Sequence, residues 1–253
     1  MVNSRPAYPN GQPSDRLVLP LDRRLLRDIG ISVVLLGLSF VLNFYAGIFA
    51  TENISNPVTD IILDNVPVVN VDFIVVEGSL LLWTFVGVLL VMRPERIPFV
   101  LKGLALFILV RSGFIILTHL GPFPTRSKFD ANELIQSFTF GGDLFFSGHT
   151  GSPFLLALMF WKDTRLRLSF LVATALFGAA VLLGHLHYSI DVFAAFFISY
   201  GIHDLARFLF RREGDLFEGA RGTKYWWRLS RSAFARRLYP TPEQGMECDG
   251  HAT

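Results

Sequence analysis

The strongest constraint on the fold is a set of six apolar runs, each close to the length that one helix needs to cross a lipid bilayer. The hydrocarbon core of a bilayer is about 30 Å thick, which corresponds to about 20 helical residues. The runs lie at roughly 28–50, 73–92, 98–120, 145–161, 167–186 and 190–210, and the fourth, which contains Pro153, is the shortest. They predict an all-α polytopic membrane protein, built as a bundle of six transmembrane helices.

The composition agrees with a membrane protein, because 51% of the residues are hydrophobic and only 17% are charged. Soluble domains carry a larger charged fraction. We expect three regions: a flexible, polar N-terminal arm at 1–27, the membrane domain at 28–212 and a basic C-terminal tail at 213–253. The basic and aromatic residues of the tail indicate either a segment that lies on the anionic inner leaflet or a solvated tail.

The distribution of Lys and Arg predicts the orientation in the membrane, because cytoplasmic loops carry an excess of these residues. The bases of the arm and of the loops after the second and fourth runs are Arg5, Arg16, Arg23, Arg24, Arg27, Arg93, Arg96, Lys102, Lys162, Arg165 and Arg167. The opposite side has only Arg126 and Lys128. Both termini are therefore predicted to be cytoplasmic.

Polar residues that are costly beside hydrocarbon collect near the predicted exterior surface. They are Asp143, Ser147 and His149 at the start of the fourth run, His185, His187, Tyr188, Ser189 and Asp191 between the fifth and sixth, Glu77 in the outer half of the second, and Arg111 within the third. These residues are distant in sequence but share one predicted depth. Independent structural residues have no cause to do so, and we predict a functional site there.

His187 and Asp191 have a spacing that suits a nucleophile. Residues four apart lie on one face of a helix, one turn from each other. A carboxylate bound to one ring nitrogen of a histidine fixes the tautomer and leaves a lone pair on the other nitrogen. If the helix begins at Ser189 instead, Asp191 falls in its first turn and still reaches back to His187.

The sequence SGHT at the start of the fourth run indicates a helix N-terminus. Unpaired N–H groups and the helix dipole favour a bound anion at such a position, and Gly148 lets the backbone approach that anion closely. A phosphate fits this description. His149, in the same turn, is placed to protonate an oxygen that leaves the phosphate.

At these residues the sequence resembles the sphingomyelin synthase branch of the type 2 phosphatidic acid phosphatase (PAP2) superfamily. The synthases carry a GDxxxSGHT motif, found here at 142–150, and an HxHY[ST]xDV motif, found here at 185–192. The resemblance extends more weakly through Glu77 and through RSGFIILTHLGPFP at 111–124. It covers roughly residues 73–210.

The resemblance implies six spans, a catalytic triad of His149, His187 and Asp191, and a covalent phosphohistidine intermediate on His187. It also implies an active site on the exoplasmic side, periplasmic or lumenal, of a bacterial inner membrane or of a eukaryotic Golgi or plasma membrane. The residues that we expect to bind substrate are Asp143, Ser147, Gly148, Glu77, Arg111 and Tyr188.

Several of these residues also have a purely structural interpretation. Glu77 and Arg111 can pair with each other or with backbone inside the bundle. Asp143 and Ser147 can act as helix caps alone. Helix–helix hydrogen bonds are the expected role of three further histidines, His119, His185 and His203.

The charge of the site favours a phosphodiester substrate. The phosphatases of the superfamily carry a KxxxxxxRP motif and an arginine six residues before the nucleophilic histidine, where this chain has Val181, and KxxxxxxRP does not occur. A phosphomonoester dianion requires several fixed positive charges, whereas the monoanion of a diester requires fewer.

We therefore predict a phosphotransferase that moves a phosphocholine or phosphoethanolamine type head group from a glycerophospholipid to a ceramide-like or diacylglycerol acceptor. A lipid phosphatase and a non-enzymatic lipid or ion transporter or scaffold are the alternatives. A zinc or iron site at the HxH sequence with Asp191 and His149 competes with the phosphohistidine interpretation. No metal or cofactor is expected, and the predicted partners are membrane lipids and not nucleic acid.

Overall fold

The computed structural model describes residues 23–126 and 144–219, and within these ranges the chain forms seven α-helices and no strand. The helices are α1 (Arg23–Glu52), α2 (Asp72–Met92), α3 (Ile97–Leu117), α4 (Gly148–Met159), α5 (Thr164–Leu183), α6 (Ser189–Leu209) and α7 (Arg211–Gly219). Short 3-10 turns lie at Leu63–Asn65 and Pro94–Arg96. The predicted all-α class is confirmed for the described ranges.

Five helices of the described ranges, α1, α2, α3, α5 and α6, are long and apolar enough to cross a membrane. Large apolar side chains are exposed along them, among them Leu80, Leu81, Leu117, Phe197 and Phe208. Side chains of this kind are stable on a surface that faces lipid and unfavourable on one that faces water. The protein is therefore an integral membrane protein by the character of its helices.

The helix in the fourth predicted run is shorter than the run itself. It contains 12 residues, about 18 Å of helix, which is less than the thickness of a bilayer core. It begins at Gly148 and not at residue 145 because Ser147 caps it, with Oγ accepting the N–H of Thr150 at 3.3 Å. Most of its side chains are buried. The six-span topology and the orientation stay predictions.

The small size of Gly151 brings α4 close to its neighbours. A Cβ atom at this position would lie 2.8 Å from the ring of Phe107 on α3 and 2.9 Å from Oγ of Ser199 on α6. Ser199 donates from this Oγ to the carbonyl of Gly151 at 3.1 Å. The close approach sets α4 inside the bundle, against both helices.

The remaining packing leaves a cleft on one side of the bundle. α1 packs along α3, whereas α2 packs against α5, and α1 and α2 make little contact with each other. The space between α1, α2 and α3 is therefore not filled by helix packing.

The helix α7 covers the end of the bundle at which α3 begins and α4 ends. Phe217 of α7 is buried against the rings of Phe99 and Phe160, and the guanidinium of Arg96 lies over the rings of Phe160 and Phe217. Glu213 of α7 pairs with the ammonium of Lys102 on α3. α7 begins inside the predicted membrane domain and ends inside the predicted tail.

Candidate active site

The connection from α5 to α6 turns the chain sharply and so places His187. His185 has a left-handed backbone with φ of 53°, a conformation in which glycine is far more common. Its N–H donates to the carbonyl of Leu182 at 3.0 Å, and the N–H of Leu186 donates to the carbonyl of Val181 at 2.9 Å. These two bonds form a Schellman motif, which satisfies the last carbonyls of α5.

The side chain of His185 holds this turn in place. Its Nδ1 lies 2.6 Å from Oγ1 of Thr125, and its Nε2 lies 3.1 Å from the carbonyl of Val66. Phe123 meets the ring edge to face at 5.1 Å. Both ring nitrogens are therefore occupied, which supports a structural role, although the partners lie in loops and not on a neighbouring helix as predicted. A metal site that uses the HxH pair requires a ring nitrogen that His185 does not offer in this arrangement.

His187 has one ring nitrogen held by the backbone. Its Nδ1 lies 2.8 Å from the carbonyl oxygen of Leu144, in the segment before α4. Because a carbonyl oxygen only accepts, Nδ1 carries the proton in this contact, and Nε2 keeps the lone pair of the neutral ring. The expected tautomer is reached, although the hydrogen-bond acceptor is Leu144 and not Asp191 as the spacing predicted.

Asp191 lies beside the same nitrogen and is completely buried. Its Oδ2 is 3.6 Å from Nδ1 of His187, an ion-pair distance, and accepts the N–H of Tyr188 at 2.9 Å. A buried carboxylate at this distance attracts any positive charge that develops on the imidazole during a reaction. The α6 helix begins at Ser189, so Asp191 lies in its first turn.

The N-terminus of α4 is joined directly to this segment. The N–H of Ser147 donates to the backbone carbonyl of Asp191 at 3.2 Å. The contact joins two residues that are 44 positions apart in the sequence. It places His149, in the first turn of α4, beside the α5–α6 connection. His149 also lies beside Phe177 of α5, with ring centroids 6.2 Å apart.

Arg111 reaches the same place from α3. Its Nε donates to the carbonyl of Phe146 at 3.0 Å, and it lies 3.5 Å from where a Cβ atom of Gly148 would stand. The guanidinium therefore sits against the N-terminus of α4. A cation and a helix N-terminus at one point together favour an anion.

His149, His187, Gly148 and Arg111 all line one cavity of about 700 Å³, whose other walls come from α1, α2, α3 and α5. Away from these polar residues the walls are mostly apolar, for example at Leu36, Phe40, Val86, Leu90, Leu101 and Leu104. Along α2 the lining runs from Val75 to Leu90, a distance of about 22 Å. The cavity is therefore a long apolar space with a polar end.

Two of the residues predicted to bind substrate are placed away from this cavity. Glu77 is exposed on α2 and points nearly half a turn around the helix axis from the lining residues Val75, Ser79 and Val86. Tyr188 is buried, and its hydroxyl donates to the carbonyl of Gly121 at 2.8 Å and accepts the N–H of Val58 at 3.2 Å. The hydroxyl thus joins the loop between α1 and α2 to the segment after α3.

Ser147 is buried and, as described above, caps α4, which is the structural alternative for this residue. Asp143 falls outside the described residues. Of the predicted substrate-binding residues, Arg111 and Gly148 are the two that line the cavity within the described ranges.

The cavity also contains polar residues that the sequence pattern did not single out. They are Asn43 on α1, Ser79 on α2, Ser152 on α4 and Arg126 after α3. Arg126 adds a second guanidinium to the lining, so the cavity is more basic than the motif comparison predicted. The spacing of Ser152, three residues after His149, was an available signal, whereas Asn43 and Arg126 depend on contacts between distant segments.

Replacing Tyr188 with phenylalanine is expected to destabilise the protein and leave the KM for substrate unchanged. Burial raises the pKa of Tyr188, so its hydroxyl stays protonated and donates to Gly121. Removal leaves two backbone groups without this partner, at a cost of about 1–3 kcal/mol. Thermal unfolding in detergent measures the loss, and Tyr200→Phe, on the exposed face of α6, is the matched control. A raised KM with unchanged stability would contradict the structural role and support substrate binding by Tyr188.

Comparison with known families gives one match, over residues 141–207, to the model described as PAP2 superfamily C-terminal. The matched segment contains both motifs of the site, SGHT and HLHYSIDV. The match supports membership of this superfamily and, with it, lipid phosphatase or phosphotransferase chemistry; it does not distinguish the sphingomyelin synthase branch. No curated protein and no solved structure gives a significant match to the chain.

Proposed function

We propose that the protein is a membrane enzyme that transfers a phospho-head group from a glycerophospholipid to a lipid hydroxyl through a phosphohistidine. The head group is of the phosphocholine or phosphoethanolamine type, and the acceptor is a ceramide-like lipid or a diacylglycerol. The observation that carries the proposal is His187, whose Nδ1 proton is held by a carbonyl while its ring lines the same cavity as His149 and Arg111.

In the first step Nε2 of His187 attacks the phosphorus of the donor lipid. A P–N bond forms and the ester bond between phosphorus and the diacylglycerol oxygen breaks, while protonated His149 gives its proton to that oxygen. The imidazole becomes cationic as the P–N bond forms. Asp191, 3.6 Å from Nδ1, stabilises that charge, and Arg111 with the α4 N-terminus stabilises the charge on the phosphoryl oxygens.

In the second step the neutral His149 accepts the proton of the incoming hydroxyl. The hydroxyl oxygen attacks phosphorus, a P–O bond forms, and the P–N bond to His187 breaks. His187 returns to its neutral form and His149 is again protonated, so the two steps balance. The products are free diacylglycerol from the first step and the new phospholipid from the second.

The shape of the cavity supports a lipid substrate. The lining residues Phe40 on α1 and Trp83 on α2 are 57% and 42% exposed, so the cavity is open between these two helices, where they make little contact. A lipid in the bilayer can enter sideways through such an opening, with its phosphate at the polar end and a hydrocarbon chain along the apolar walls. We propose that the polar end lies at the exterior face, as the distribution of Lys and Arg predicts.

A lipid phosphatase is the second candidate, and Arg126 is the observation that favours it. With Arg111 it gives the cavity two guanidinium groups, which suits a phosphomonoester dianion better than one group does. In this reaction water takes the place of the lipid hydroxyl in the second step.

The two candidates are separated by incubating the purified protein with labelled phospholipid, with and without ceramide or diacylglycerol. A labelled phospholipid that forms only with the acceptor supports transfer. Free phosphate or phosphocholine in both reactions supports hydrolysis. Neither product in either reaction, from protein that is folded and inserted, would contradict both enzymatic proposals and favour a transporter.

The apolar walls lead to a prediction about chain length. Gly87 lines the cavity, and no atom beyond the adjoining turn of α2 lies within 4 Å of the position of a Cβ atom there. Gly87→Leu is therefore expected to add a side chain without a clash and to lower kcat/KM for a palmitoyl or oleoyl lipid on the order of tenfold. Activity on a short-chain butanoyl analogue should change little.

The matched control is Gly201→Leu on α6, where a Cβ atom also has no neighbour within 4 Å and where no residue lines the cavity. It should leave activity on both lipids unchanged. Equal losses on long and short chains in Gly87→Leu, or equal losses in both variants, would contradict the placement of the chain along α2.

A further inference from the structure

Asp60 is a buried carboxylate in the loop between α1 and α2. Its Oδ1 accepts the N–H groups of Ile62 at 2.9 Å and Leu63 at 3.2 Å, and its own N–H donates to Oδ2 of Asp64 at 3.1 Å. These bonds build a compact turn with Leu63 buried beneath it. They use only one of the two carboxylate oxygens of Asp60.

The other oxygen, Oδ2, accepts the N–H of Ser189 at 2.7 Å, across 129 residues of the sequence. Ser189 is the first residue of α6, and the first N–H groups of a helix have no partner within the helix. The preceding residue, Tyr188, does not have the short polar side chain that normally caps a helix. Asp60 thus supplies the cap of α6 from a distant loop.

This bond lies next to the proposed nucleophile. The N–H of Tyr188 is held by Asp191 at 2.9 Å, and the next N–H, that of Ser189, is held by Asp60. Two carboxylates therefore fix two successive N–H groups directly after His187. The backbone that follows His187 is therefore held in place by both bonds.

The charge state of Asp60 agrees with this role. Burial raises the pKa of its carboxyl, but the hydrogen bonds from Ser189, Leu63 and Ile62 together lower this pKa by more than burial raises it. The resulting pKa is below the ordinary value. The stability that these bonds contribute is therefore present at neutral pH and is lost only as the pH falls through this lowered pKa.

We infer that Asp60 is a positioning residue for the proposed reaction: its bond to the N–H of Ser189 holds the peptide that orients His187. The inference rests on the proposed function, in which His187 attacks phosphorus. Asp60 does not line the cavity in the described structure, and it acts through the backbone of α6 and not on the substrate.

A pair of substitutions at Ser189 isolates the bond. Proline suits the first position of a helix, and Tyr188, with φ −68° and ψ 157°, has the extended backbone that a residue before proline requires. Ser189→Pro therefore removes the N–H while keeping the helix, whereas Ser189→Ala keeps the N–H. We expect kcat to fall on the order of ten- to a hundredfold in Ser189→Pro, with KM little changed, and to remain near the original value in Ser189→Ala.

A second pair of substitutions tests the other side of the bond. Asp60→Asn keeps one acceptor oxygen for Ile62 and Leu63 and presents an amide donor to the N–H of Ser189. Its kcat should fall as in Ser189→Pro. Asp64→Asn makes the same chemical change in the same turn without touching α6 and should retain its kcat. A rise in KM alone, or equal kcat in all four variants, would overturn the inference.

Modification of His187 by diethyl pyrocarbonate, mapped by peptide mass spectrometry, tests the inference without turnover. We expect faster modification in Ser189→Pro than in Ser189→Ala, because the ring is less restrained. Equal rates would overturn the positioning role. If the unaltered protein shows neither transfer nor hydrolysis, the proposed function fails, and the difference in modification rate still decides whether Asp60 orients His187.

Discussion

The variant His187→Ala is expected to have no measurable turnover while remaining folded and inserted in the membrane. The proposed reaction passes through a P–N bond to this residue, so its loss removes the reaction path and not only a stabilising contact. Loss of a nucleophile that acts in concert with its neighbours costs on the order of 10⁴-fold or more. Steady-state transfer from a labelled phospholipid measures the loss.

The matched control is His203→Ala. His203 lies on α6, the helix that follows His187, and is not among the residues that line the cavity. This variant should retain most of its activity. Thermal unfolding and detergent extraction of both variants show whether each one is folded and inserted.

Trapping the covalent intermediate makes the prediction more specific. Rapid quenching with a donor labelled at phosphorus should give labelled protein, with the label on His187, from the unaltered chain and from His203→Ala. A histidine phosphate is stable to base and labile to acid, which separates it from a serine phosphate. Label retained by His187→Ala would show that another residue is the nucleophile.

The sequence predicted the long helices well because the membrane imposes a simple rule on them. A segment that crosses hydrocarbon must satisfy its own backbone hydrogen bonds, and therefore appears as an apolar run of nearly fixed length. The predicted runs at 73–92 and 190–210 agree with α2 and α6 to within one residue at each end. α4 departs from the rule because it is enclosed by protein, where the limits are set by the Ser147 cap and by packing at Gly151.

The contacts of the site between residues close in sequence were also predicted from the spacing of the motifs. His187 and Asp191 lie side by side, and SGHT begins a helix. The first result follows from the alternative in which α6 begins at Ser189 and Asp191, in its first turn, reaches back to His187. The second follows from the preference for serine as a helix cap.

The contacts of the site between segments distant in sequence could not be predicted from the sequence. The acceptor for Nδ1 of His187 is the carbonyl of Leu144, and the caps and ties of the α5–α6 connection come from Asp60, Val66, Gly121 and Thr125. A backbone carbonyl has no signature in the sequence, and a loop's contacts depend on how the whole chain folds. Tyr188 shows the consequence, because its place in the motif suggested substrate binding while its hydroxyl joins two loops.

Replacing His149 should lower turnover of the natural lipid by about 10²–10⁴-fold, the usual contribution of a general acid or base. In the proposed mechanism His149 protonates the diacylglycerol oxygen, which is a poor leaving group without that proton. The p-nitrophenyl ester of phosphocholine has a leaving group that needs no proton. The first step with this donor should therefore be affected far less in His149→Gln, a variant that keeps polarity and similar size.

The second step still needs His149 as a base, so His149→Gln should accumulate the intermediate with this donor. We expect a rapid release of one equivalent of p-nitrophenol, a slow phase afterwards, and labelled His187 in the quenched protein. His187→Ala should show no such release, which gives the two histidines different signatures with one reagent. Equal losses with both donors, or the absence of a rapid phase from folded His149→Gln, would contradict the division of roles between a nucleophile on the α5–α6 connection and an acid–base group on α4.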